Sequence, residues 1–95
     1  MLAEPITQEP LTIVLRPRDD CWISVILDGE SVFSGLMRAG EHKSYEADDE
    51  IILKIGDAGA FAFALNQQDG RSLGASGEVV TARITLQNYS TYVVP

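Results

Sequence analysis

The chain has 95 residues, a hydrophobic fraction of 45% and a formal net charge of −7, from seven Lys/Arg against fourteen Asp/Glu. Length and composition fit one folded domain with one core, not a disordered tract. The acidic balance excludes a nucleic-acid binder, which needs a basic patch to release counterions from phosphates, and disfavours adsorption to anionic lipid.

Met1–Pro10 carries Pro5 and Pro10 around a polar stretch and reads as the end of a linker. From Leu11 the signal has period two. Leu11, Ile13 and Leu15 alternate with Thr12, Val14 and Arg16, which predicts a strand. Pro17–Asp20 is a turn. Cys21, Ile23, Val25 and Leu27 share one face of the next strand, and Trp22, Ser24 and Ile26 the other. Asp28-Gly29 is a strong hairpin signal, because a type I′ turn needs positive φ at both central residues. Ser31–Leu36 returns.

Ala39-Gly40-Glu41 turns into a polar strand, His42–Glu46, and Asp48-Asp49 turns into Glu50–Ile55. Gly56–Gly59 is a glycine-bounded turn. Ala60–Leu65 is predicted as a strand whose alanines allow close approach of another layer. Asn66–Ser72 is a loop with Asp69-Gly70 at its tip. Gly74 and Gly77 are expected left-handed or bulge positions. Val79–Leu86 is the last clear strand, and Tyr89–Val94 is a further edge strand or a tail. No segment has helical spacing. The expectation is an all-β fold: a small antiparallel β-sandwich or flattened barrel of about seven to eight strands. Its β domain spans 11–86, between a tether end at 1–10 and an edge strand or tail at 87–95.

Catalytic chemistry has little to build on. Nucleophilic catalysis needs a nucleophile, a base and an orienting group. His42 is the only histidine, and it falls in a polar strand expected to face solvent. Cys21 is the only cysteine, so no internal disulfide forms, and burial as a small hydrophobe is its expected role. One Cys and one His do not make a zinc site. Glu46, Asp48, Asp49 and Glu50 cluster without a calcium-loop pattern and read as a solvated acidic turn. Gly56-x-x-Gly59 and Gly74-x-x-Gly77 lack the Lys-Ser/Thr and the following helix of a phosphate loop, and read as turns. No catalytic residue, metal ligand or cofactor is assigned.

The binding candidates are aromatic: Trp22, Tyr45, Tyr89 and Tyr92. The three tyrosines are expected to be the exposed rings. Trp22 is expected to be buried, as is Cys21 on the opposite face, which requires cover on both sides of that strand. An exposed Trp22 would instead stack on a sugar or anchor a partner.

An ordered set of residues resembles a known family. It comprises Cys21-Trp22-Ile23-Ser24-Val25, Asp28-Gly29, Val32-Phe33-Ser34-Gly35, Ala39-Gly40-Glu41, Ile55–Gly59, Leu73-Gly74 and Gly77-Glu78-Val79-Val80. At this spacing, from about Leu11 to Ile84, it resembles the C-terminal extracytoplasmic domain of RodZ, the bacterial cell-shape protein. The resemblance implies a non-enzymatic interaction module on the periplasmic side of a single-pass inner-membrane protein. It implies membrane or periplasmic proteins of the wall-elongation machinery as partners. RodZ-like proteins contact the MreB filament through a cytoplasmic helix-turn-helix, a pattern these residues do not contain, so MreB contact is carried onto none of them. The alternative is a peptidoglycan- or polysaccharide-binding β module, which predicts two or three coplanar exposed aromatics. A small hydrolase predicts a pocket around His42 or a close carboxylate pair.

Overall fold

The computed structural model describes residues 10–94. Its strands are β1 (Leu11–Leu15), β2 (Cys21–Leu27), β3 (Glu30–Met37), β4 (Lys43–Ala47), β5 (Glu50–Ile55), β6 (Phe63–Leu65), β7 (Gln68–Asp69) and β8 (Val80–Thr85), with 3-10 turns at Ala58–Ala60 and Tyr89–Tyr92. They form two four-stranded sheets, β4-β1-β6-β7 and β3-β2-β5-β8, with every pairing antiparallel. The fold is a β-sandwich and not a closed barrel. The expected tether end, Met1–Pro10, lies outside the described residues except for Pro10.

Period-two patterning decides the inside. Leu11, Ile13 and Leu15 of β1 face Ile23 and Val25 of β2, Ile51, Leu53 and Ile55 of β5 and Ile84 of β8 across the core, all fully buried. Each such aliphatic side chain contributes about 1.5–3 kcal/mol by leaving water. The hairpin at Asp28-Gly29 forms with φ of 49° and 84°, the left-handed pair that its turn requires.

Ala60–Leu65 is not one strand. Ala58–Ala60 coils into a 3-10 turn, and the regular strand begins only at Phe63, although Ala60 O and Ala62 O already accept from Arg18 N and Arg16 N. The close approach expected there is real and centres on Gly59: a Cβ at that residue would lie 2.5 Å from the backbone nitrogen of Ser76. The two glycine turns clasp each other. Ala58 N donates to Glu78 O, Gly59 N to Ala75 O, and Gly77 N to the Asp57 carboxylate. Gly77 is left-handed, as expected, and Gly74 is not.

The loop tip also moves. Asn66 and Gln67, both with positive φ, make the β6–β7 turn, and Asp69 belongs to β7. Gly70 is required for packing: a Cβ there would run into the Phe63 ring.

Tyr89–Val94 is not a regular strand. After its 3-10 turn, Val93 makes a single bridge to Gly70, supported by Arg71 N to Tyr92 O and Val94 N to Asp69 O. Val93 is buried, so this segment closes one side of the sandwich. On the other side the two sheets meet at β3 and β4, where Lys43 Nζ sits 4.7 Å from the centroid of the Phe33 ring.

Candidate functional site

The aromatic candidates reverse their expected exposures. Trp22 is the exposed one, at 42%, while Cys21 beside it is buried. The reason is that β2 lies in a sheet covered on one face only. Inward residues meet the other sheet, and Trp22 points the opposite way. Tyr45, expected to be exposed, is half-buried, because it pairs with Ile13 and therefore stands on the core face of β1-β4. Tyr89 and Tyr92 are half-buried too, packed against the core by the 3-10 turn. The four candidates do not share one site.

What Trp22 does share is a row. Its direct cross-strand partner is Leu36, 57% exposed. On its other side Gly56 N donates to Trp22 O at 2.8 Å. The register that pairs Ile55 with Val80 brings Val79, 64% exposed, opposite Gly56. Leu36, Trp22 and Val79 thus cross the outer face of β3-β2-β5-β8 at one end, with Gly56 as a gap. The row is made of apolar side chains and carries no acid, base or nucleophile. Exposed apolar side chains gathered on one face differ from scattered ones, which need no explanation.

The other chemical candidates are accounted for locally. His42 is exposed just before β4 and does not line either of two surface depressions among the described residues, one beside Pro10, Thr12, Glu46, Asn66 and Gln67, the other beside Arg16, Arg18, Asp69 and Val94. Among the described residues no cluster of His, Cys, Asp or Glu is arranged to hold a metal. The acidic turn has a structural partner. The Asp28 carboxylate accepts from Asp48 N, Asp49 N and Glu50 N at 2.7–2.9 Å, tying the β2–β3 turn to the β4–β5 turn. These three donors stabilise the charged form and hold the Asp28 carboxyl below its ordinary value.

A family model for the RodZ C-terminal domain matches residues 14–85, from within β1 to the end of β8. The chain belongs to the RodZ C-terminal domain family. No curated protein and no solved structure matches it. The matched span holds both sheets and the whole Leu36–Trp22–Val79 row, while the half-buried Tyr89 and Tyr92 lie beyond it.

Proposed function

We propose that this domain is the extracytoplasmic interaction module of a RodZ-like cell-shape protein. It works without catalysis, and the outer face of β3-β2-β5-β8 contacts membrane or periplasmic proteins of the wall-elongation machinery. The observation that carries this reading is the exposed row Leu36–Trp22–Val79 on a RodZ-type fold. An aromatic anchor that becomes buried at the centre of a patch, ringed by contacts that exclude water, is the usual energetic centre of a protein interface, and Trp22 is placed to supply it.

The test uses the full-length protein in cells. A photo-crosslinking residue at position 36 is expected to give adducts with wall-elongation proteins, and Trp22→Ala with Leu36→Ser to disturb cell shape at unchanged protein level. Normal shape with no adducts overturns the reading.

The exposed Trp22 also favours, more weakly, a wall-glycan module. The coplanar platform which that alternative requires is not assembled: among the described aromatics only Trp22 is exposed. An amide NMR titration with soluble peptidoglycan fragments separates the two. Saturable shifts centred on Trp22 support glycan binding, and an unchanged spectrum supports protein recognition.

A further inference from the structure

Antiparallel pairing aims the backbone groups of alternate residues at opposite neighbours. Gly56 N donates to Trp22 O, so Trp22, Ser24 and Ile26 direct their N–H and C=O groups to β5. Cys21, Ile23 and Val25 therefore direct theirs to β3, where they meet Met37, Gly35 and Phe33. This leaves the N–H and C=O of Ser34 and Leu36 pointing away from the sheet, and no backbone group among the described residues pairs with them.

The other edges differ. At β8 the Asn88 side chain accepts from Thr85 N at 2.7 Å and donates to Arg83 O at 3.0 Å, taking the places of a neighbouring strand. At β7 residues 92–94 already pair. At β4 the side chains beside the open edge are Ser44 and Glu46, both polar and exposed. Among the described residues, β3 joins open backbone groups to the apolar row within a regular strand, because Leu36 supplies both and Trp22 stands beside it, whereas Val79, at the far end of the row, lies just before β8 begins.

We propose that the open edge of β3 takes an extended, cationic strand of another protein, which hydrogen-bonds to Ser34 and Leu36 and lays an apolar side chain beside Leu36 and Trp22. This deepens the interaction-module reading and rests on it. Main-chain pairing supplies affinity in such strand addition, and alternate side chains supply selectivity. The charge follows from the surroundings. Asp28 and Glu30 lie at one end of β3 and Asp20 and Glu41 at the other, against Arg38, while Lys43 is held over Phe33. The net charge of −7 opposes a second copy in the same place.

The probe is a short blocked peptide of alternating Lys and Val, with a Glu-Val twin, added to the isotope-labelled 95-residue chain. The Lys-Val peptide is expected to slow amide exchange at Ser34 and Leu36 saturably, by about tenfold or more, and to shift the Trp22 indole signal. The Glu-Val twin is expected to do neither. Ser34→Pro removes an outward N–H that β2 does not use, so it leaves the sheet folded and abolishes the protection. Thr81→Pro at the β8 edge leaves protection intact. Leu36→Asp gives a second loss-of-binding variant should the proline disturb folding.

Absent protection, protection at β4 instead, equal response to the Glu-Val twin, or protection surviving both β3 variants overturns the proposal. Protection without peptide that grows with protein concentration overturns it in favour of a second copy. Crosslinks from position 36 in cells, with no peptide protection, would leave the interaction module standing and remove only the strand addition.

Discussion

The two outer faces of the sandwich are built on the same inner alternation and end differently. Outside β4-β1-β6-β7 stand Thr12 opposite Glu46 and Val14 between Ser44 and Ala64, a polar or small-residue surface. Outside β3-β2-β5-β8 stand Ile26 opposite Ile52, and Trp22 opposite Leu36. An ordinary solvated face has no use for that second set. The inward residues hold the fold together, so the two faces differ in their outward sets alone, and it is on this difference that the proposed interaction rests.

The contrast breaks most sharply at neighbouring residues of one strand. Ile23→Ala, on the buried side of β2, is expected to cost about 2–5 kcal/mol in urea unfolding, from lost burial and a cavity. Val93→Ala tests whether the C-terminal segment belongs to the core. Loss of two buried methyl groups at roughly 0.8 kcal/mol each predicts about 1.5 kcal/mol, and an unchanged transition would make the segment a mere tail.

Asp28→Asn sharpens the picture at the far end of the sheets. The substitution keeps a residue that tolerates positive φ and removes the charge. Because the folded carboxyl lies below its ordinary 3.8, its stabilisation is complete above that value and is lost as pH falls through the lower folded one. The urea midpoint of the parent is therefore expected to exceed that of the variant at neutral pH and to converge on it in acid. Parallel pH profiles would refute the role. The smallest effect belongs to the exposed row: Leu36→Ser is expected to change stability by no more than about 0.5 kcal/mol, while removing interaction.

The sequence makes the inside of this fold readable because a half-buried strand advertises its period. Leu11, Ile13 and Leu15, and Ile51, Leu53 and Ile55, stand where alternation puts them. It says less about the site, and β3 shows why. The turn at Asp28-Gly29 pairs Leu27 with Glu30 and Ile26 with Ser31. Continued unbroken, that register would set Trp22 opposite Gly35 and hide the row. A bulge between Val25 and Ile26 shifts the pairing by one residue, so that Leu36 meets Trp22 and turns outward while Met37 turns in. No local residue pattern announces that bulge. The β6–β7 turn misleads differently. Asp69-Gly70 has the right letters, but Gly70 is there to clear the Phe63 ring, and Asn66-Gln67 make the bend. Trp22 misleads because both residues of Cys21-Trp22 look like core, and only the one-sided cover of the sheet separates them.

The Asn88 carboxamide has a consequence for assembly. Growth of a β-fibre needs two complementary edges on each subunit, one to accept the last arrival and one to offer the next. Here one end of the sheet finishes on a side-chain surrogate for the missing neighbour, at Arg83 and Thr85. A strand arriving at that end would first have to displace the Asn88 carboxamide from Arg83 and Thr85, so this stretch of β8 resists pairing with a second subunit.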